Sequence, residues 1–159
     1  MLVGRQKRLE NKIQMQKAKN KLKRLDGVCI LKIFENDEGD TLNEILSGYH
    51  PTMSSIPHGK ISFKASKTEI FIWIIAEMHL EYEQEYFFLC DGIWVKIKII
   101  DLQVAVKSLW EHGIDKSENH KVGTVGFLLV DADMNCVMEA GSDSRDEYHY
   151  LIDIWRHAR

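Results

Sequence analysis

Three short stretches hold the side chains whose types could do chemistry. His50, Ser54, Ser55 and His58 lie within Ser47 to Gly59, a segment that also contains both prolines, Pro51 and Pro57, and no Asp, Glu, Lys or Arg. A serine hydroxyl becomes a nucleophile when an imidazole within hydrogen-bond reach takes its proton, so the His50 to His58 loop is the candidate active site of an enzyme. Proximity in sequence does not supply that geometry. The chain has no G-x-S-x-G turn, no glycine-rich phosphate loop and no H-E-x-x-H helix, and a structural or partner-contacting loop is the preferred reading.

The other two stretches raise metals. Asp131, Asp133 and Asn135 alternate oxygens in the way a calcium loop begins, but Cys136 stands where such a loop turns on Gly and Ser142 where it closes on Glu. That leaves a polar hairpin turn. His149, Asp153 and His157 follow at four-residue intervals, with Asp146 just before them. On a helix they would share one side, yet no nearby Cys or Glu completes a tetrahedral zinc site, so a solvated helix face is expected. No metal or cofactor is expected anywhere. Cys29, Cys90 and Cys136 are an odd set without a C-x-x-C pair and read as reduced thiols among apolar neighbours.

Charge is the stronger signal. Residues 1–25 carry nine Lys or Arg against Glu10 alone, a net +8, while the remainder carries 12 bases and 23 acids, a net −11. The arm's Arg5, Lys7, Arg8, Lys12, Lys17, Lys19, Lys21, Lys23 and Arg24 could hold a polyanion with a steep salt dependence. The arm offers no aromatic ring for stacking on bases. In the body, Glu77, Glu81, Glu83 and Glu85 interleave with His79 and Tyr82, and Asp143, Asp146 and Glu147 follow near the C-terminus. Together they are the candidate partner-binding face, acidic with aromatic anchors, a composition suited to Arg- and Lys-rich protein surfaces. The competing reading is a solvated edge that guards strands against mispairing.

The elements that must position these groups follow from periodicity and turn chemistry. Leu9, Ile13, Ala18, Leu22 and Leu25 recur near helical spacing and predict one helix over 5–25, stopped by Asp26-Gly27. Val28 to Phe34 reads as a strand. Thr41 and Glu44 suggest a capping box for a short helix ending near Leu46. Ile61 to Ala65 and Glu69 to Met78 are predicted as strands, the second on its Ile-Phe-Ile-Trp-Ile-Ile run, although Ser66 and Glu69 could cap a helix. Asp91-Gly92 predicts a tight hairpin between 86–90 and 93–99. Asp101 and Gly113 bracket a helix. Val122 to Val130 and Cys136 to Ala140 form a second hairpin, and Ser144 with Glu147 caps a final helix carrying Tyr148, Leu151, Ile152 and Trp155.

The expectation is an α+β protein: a mostly antiparallel sheet with helices packed on one face, preceded by a basic N-terminal helix. Residues 1–26 form the arm and 27–159 a single acidic domain. The longest apolar run, Ile70 to Ala76, is too short to cross a bilayer and the start lacks the apolar stretch of a secretory signal, so a cytoplasmic protein without membrane contact is expected. Functionally, the residues favour a non-enzymatic inhibitor of the bacterial immunity or antitoxin type, which neutralises a basic, nuclease-like toxin through the acidic face. A nucleic-acid accessory protein acting through residues 5–24, and an enzyme using the His50–His58 loop, are the alternatives.

Overall fold

A computed structural model describes residues 2–113 and 125–157. Their elements are α1 (Leu2–Leu22), β1 (Val28–Ile33), α2 (Asp40–Ser47), β2 (Gly59–Ser62), α3 (Lys67–Met78), β3 (Glu85–Cys90), β4 (Ile93–Ile99), α4 (Leu102–His112), β5 (Gly126–Asp131), β6 (Cys136–Gly141) and β7 (His149–Arg156). The strands form one seven-stranded sheet in the order β1-β4-β3-β5-β6-β7-β2, and neighbours pair antiparallel throughout. The class is α+β, as composition and patterning predict. None of the described helices is long and apolar enough to cross a membrane.

Alternation along the strands sends side chains to two different cores. Phe88, Val95, Ile97, Leu129, Met138 and Ile152 face a helical layer made by Ala18 and Leu22 of α1, Ile70, Phe71, Ile74 and Met78 of α3, and Ala105, Val106 and Leu109 of α4. Phe87, Trp94, Leu128, Val130 and Val137 point the other way, where Leu42 and Ile45 of α2 cover them. The helices therefore occupy both faces, three on one and α2 on the other. Trp94 Nε1 donates to Asn43 Oδ1 at 2.7 Å, tying α2 to β4.

Local chemistry explains the secure elements. Asp91 and Gly92 both have positive φ, 50° and 80°, as the tight turn that matches strand twist requires, and Cys90 pairs with Ile93 across it. Asp101 accepts from Val104 N at 3.1 Å and caps α4. Gly27 turns α1 into β1 with φ +75°, and a Cβ there would meet Ala105 N at 2.5 Å. Its carbonyl accepts from Ile100 N and Asp101 N at 2.8 and 3.1 Å, locking the α1–β1 and β4–α4 junctions together.

Two elements differ from the sequence reading. Residues 67–78 are helical, because the Ser66 hydroxyl caps them, accepting from Glu69 N and donating to Glu69 Oε1, and Ile70, Phe71, Ile74 and Met78 then fall on the buried side. The β-branched run is overridden by its cap and its packing. Residues 149–156 are a strand, not a helix. Tyr150, Ile152 and Ile154 pack toward the helical layer and Trp155 toward α2, and a strand apolar on both faces loses the alternation that would identify it. The capping boxes at Thr41/Glu44 and Ser144/Glu147 are likewise not formed among the described residues. The tight turns at 35–40 run directly into α2 behind Gly39. Asp143 and Asp146 instead accept from the amides of Arg145 and Tyr148. The expected strand portion 122–124 lies outside the described residues.

Gly27→Ala is expected to lower stability by about 1–3 kcal/mol, from a strained φ and a backbone clash; a reduced urea midpoint with an unchanged slope is the readout, and an unchanged midpoint would contradict the role given to Gly27.

Candidate functional site

The helical layer runs out at the end of α3. His79 adopts left-handed backbone geometry, φ 52° and ψ 44°, and its amide closes the helix on Ala76 O. The chain returns to β3 through residues 80–84, with Glu83 also at positive φ and donating to Ile99 O at 2.9 Å. Register brings the start of β3 beside the end of β5, through Tyr86 opposite Asp131, and Cys136 opposite Arg156 on β6 and β7. Between these elements lies a cleft of about 540 Å³. Met78, Tyr86, Met138 and Ile154 line its apolar part, and His58, His79, Glu81, Gln84, Asp131 and Arg156 its polar part.

Most polar groups in the cleft already have structural duties. Asp131 Oδ1 accepts from Asn135 N and Cys136 N at 2.7 and 2.8 Å, so the supposed calcium-like spacing serves to close the β5–β6 turn. His58 Nε2 lies 3.2 Å from Glu77 Oε2. Tyr86 accepts from Glu81 N at 3.3 Å, and burial pushes its hydroxyl pKa up. Cys136 is the one thiol among the described lining residues, and burial followed by the Asp131 charge raises its pKa, with Arg156 at 3.8 Å opposing. Since the thiolate is the nucleophile, this environment keeps Cys136 a thiol.

The acidic groups singled out in the sequence divide in space. His79 and Glu81 line the cleft, Glu77 stands beside it, and Tyr82, 60% exposed, and Glu83 follow in the adjoining turn, whereas Glu85 shares the parity of Phe87 and points to the α2 face. Glu77 pairs with His58, and Glu85 with Lys96 at 3.3 Å. Glu81 and Glu83 are exposed and in no ion pair among the described residues. Asp143, Asp146 and Glu147 lie in the β6–β7 connection, at the opposite end of the strands. There Asp143 is held by Arg145 at 2.6 Å and Asp146 by His149 at 2.9 Å. Arg145, through its side-chain bonds, pulls the Asp143 carboxyl below its usual range, and the Tyr148 amide, then His149, do the same for Asp146. One acidic face uniting both groups is not what the fold builds.

The His50–His58 loop is fastened by Arg145. That guanidinium binds Asp143 and Asp153 and donates to Ser55 O at 3.2 Å. Ser54 and Ser55 bond to Thr52, and among the described residues neither hydroxyl meets His50 or His58. With β7 extended, His149, Asp153 and His157 rise about 13 Å per four residues, too far apart for one zinc ion. Each instead has its own neighbour: Asp146, Arg145 and the Trp155 ring at 5.6 Å. Tyr49 donates to Glu139 at 2.9 Å from the α2 side, and Glu139 pairs across the sheet with Asp153. Burial raises the Glu139 pKa despite that bond.

The basic residues of α1 are exposed except Lys21, which pairs with Asp91 at 2.7 Å with both side chains largely covered. Gln14 donates to Asp91 O at 2.9 Å. Arg5, Lys7, Arg8, Lys12, Lys17, Lys19, Lys23 and Arg24 remain at the surface. Sequence reasoning missed Asp131, Met138, Ile154 and Arg156 as cleft residues and Arg145 as the loop's anchor; only Asp131, as a turn residue, left a local signal.

A raised Glu139 pKa means that the folded chain keeps this proton to higher pH than the unfolded chain does. Its contribution to stability therefore falls as pH rises from the ordinary glutamate value, about 4.3, through the folded value. Glu139→Gln retains an acceptor for Tyr49 without the charge, so its urea midpoint should exceed that of the parent at pH 7, with the gap narrowing towards pH 4; a gap that widens in acid would reverse the assignment. Site-resolved mass spectrometry should find Cys136 alkylated more slowly at neutral pH than exposed Cys29; faster labelling of Cys136 would reinstate it as a nucleophile. Comparison with known proteins found no matching family model, no matching curated protein and no matching solved structure.

Proposed function

We propose that the chain is a non-enzymatic binding protein that captures a basic segment of a partner protein at the cleft beyond α3. The observation that carries this reading is the union of an apolar floor, Met78, Met138 and Ile154, with Glu81 and Asp131 in the lining, Glu77 beside it through His58, and Glu83 and the exposed ring of Tyr82 in the adjoining turn, against one Lys or Arg, Arg156, among the described lining residues. Such a site suits Arg and Lys, whose stems bury against apolar surface while their charged heads stay among carboxylates. Rim charge accelerates capture, and the aromatic and apolar contacts hold the complex. The thioether side chains at the floor adapt to differing partners.

In its most concrete form the reading is an immunity or antitoxin-type inhibitor of a basic, nuclease-like toxin, acting in the cytoplasm, where Cys29, Cys90 and Cys136, which form no disulfide, stay reduced. The displayed cations of α1 favour a second reading, contact with nucleic acid through residues 5–24. The two readings separate by mutation. Glu81→Lys with Glu83→Lys should slow association with a toxin-like protein encoded beside this one at least about tenfold, steepest at low salt, and abolish growth rescue on co-expression. Undiminished rescue would remove the cleft from the interaction. Replacing Arg5, Lys7, Arg8 and Lys12 with Gln should leave rescue intact; its loss, with loss of retention on DNA or RNA, would establish the second reading.

A further inference from the structure

We propose that the N-terminal half of α1 docks into the acidic cleft of a second copy of the chain. The helix is fixed to its own body only over its later turns: Ala18 and Leu22 are buried, Lys21 pairs with Asp91, and Gln14 bonds the Asp91 carbonyl. Ahead of Gln14 the helix continues past the β3–β4 turn, bordering the Glu35–Asn36 turn on one side through Arg8 and Lys12. Among the described residues its other side meets the body only near Asp91, through Ile13, Gln14 and Lys17. Leu9 and Ile13 are 59% and 50% exposed, and Arg5, Leu9, Ile13 and Lys17 follow at four-residue intervals, so they share one face. That face is an apolar pair with a cation at each end.

The cleft offers a complement: an apolar floor of Met78, Met138 and Ile154 with Glu81 and Asp131 in its lining and Arg156 on its β7 wall, and Glu83 exposed in the adjoining turn. Leu9 and Ile13 stand about 6 Å apart along the axis, a spacing that lets both enter one groove while Arg5 and Lys17 reach opposite parts of the rim. The net charges, +8 for residues 1–25 and −11 for the rest, draw arm to body. They oppose the competing arrangement, two arms side by side, because that sets like charge against like.

Docking within one molecule is barred by geometry. The arm leaves the sheet at the Asp91 end of β3, while the cleft opens at the Glu85 end, roughly 20 Å away along the strand. Residues 5–22 contain neither Gly nor Pro, so the helix has no built-in bend by which to return. The contact is therefore head to tail between copies, a heterologous interface that extends into chains unless a ring closes. The inference rests on the cleft being a receiver of cationic segments, and it gives the arm a regulatory part: at high concentration one copy's arm competes with the partner for the other copy's cleft.

Sedimentation velocity on the full chain tests this without any partner. At low salt the weight-average sedimentation coefficient should rise with concentration, and at high salt it should return to the monomer value. Leu9→Asp with Ile13→Asp, and separately Glu81→Lys with Glu83→Lys, should each weaken association at least about tenfold. Mixing the two variants should restore a one-to-one complex, since each keeps the surface that the other has lost; misfolded variants could not do this. A chain monomeric at every concentration in low salt overturns the proposal. So does association that survives the cleft substitutions, which would indicate pairing through the arms. Partner capture reads out separately, because the Leu9/Ile13 variant should still rescue growth against a cognate toxin.

Discussion

The central strands bury side chains on both of their faces, and this single demand organises the molecule. On the α2 side alone, Phe87, Trp94, Leu128, Val130 and Val137 are at most 9% exposed. At about 1.5–3 kcal/mol for each large side chain removed from water, that one layer is comparable with the whole net stability of a typical domain, about 5–15 kcal/mol. Neither face can be left wet. The eight-residue α2 is thus a required cover, although it is too short to form a helix unaided. On the other side α3 and α4 supply most of the cover, and α1 contributes its later turns. The cleft lies where that cover stops: α3 ends at Met78, the chain turns back into β3, and Met138 and Ile154 are left lining open space.

Charge follows the same division between what the fold uses and what it leaves over. Asp91, Asp143, Asp153 and Glu38 are each matched to a Lys or Arg of the same chain. Asp101 and Asp131 are spent on backbone amides. The net charge of −11 over the body already counts Lys32 and Arg145; of these pairs only Lys21–Asp91 matches a body acid to a cation of the arm. What remains lies on 77–85, where Glu81 and Glu83 face solvent, and on 35–44, where Glu35, Asp37, Asp40 and Glu44 do. On the arm the balance is reversed. Lys21 is engaged near the anchored end, and the exposed cations crowd a helix whose own apolar pair is uncovered. Segregated sign along the chain thus survives folding on the arm and on the 77–85 turn, at opposite ends of the central hairpin, with a further acidic segment, 35–44, beside the arm.

How far the sequence revealed this depended on whether the determining contacts were local. The Asp91-Gly92 turn, the Asp101 cap and the stop at Gly27 each rest on a few adjacent residues, and the structure has them where their chemistry predicts. α3 was ambiguous because its Ile-rich run suits a strand and its Ser66 cap suits a helix; burial of Ile70, Phe71, Ile74 and Met78 against the sheet decided between them. β7 was unreadable for a deeper reason. Its Leu151, Ile152 and Trp155 fit a helical stripe, and only its pairing with β6 and β2 on either side makes an extended chain the better solution. The same holds for the cleft. Its rim is contiguous in sequence and was legible, whereas Met138, Ile154 and Arg156 reach it through strand register across segments far apart. Arg145, flanked by acids in sequence, gave no sign that it would be buried between Asp143 and Asp153 while holding the Ser55 carbonyl.

Sheet edges bear on which surfaces remain for association. An open edge is a template for another strand, and proteins blunt it with bulges, charge or brevity. β1 carries a register shift between Ile30 and Lys32, and Lys32 is paired to Glu38 at 2.6 Å beside it. β2 spans four residues, and the segment leading into it is held through Ser55 by Arg145. Both edges are therefore poor sites for strand addition. With that route blunted, contact between chains falls to side-chain surfaces, among them the leading half of α1, where Leu9 and Ile13 are exposed, and the cleft beyond α3, with the exposed Tyr82 beside it. The first presents cations around an apolar pair and the second carboxylates beside an apolar floor, so burial of one against the other removes apolar surface from water while keeping unlike charges together.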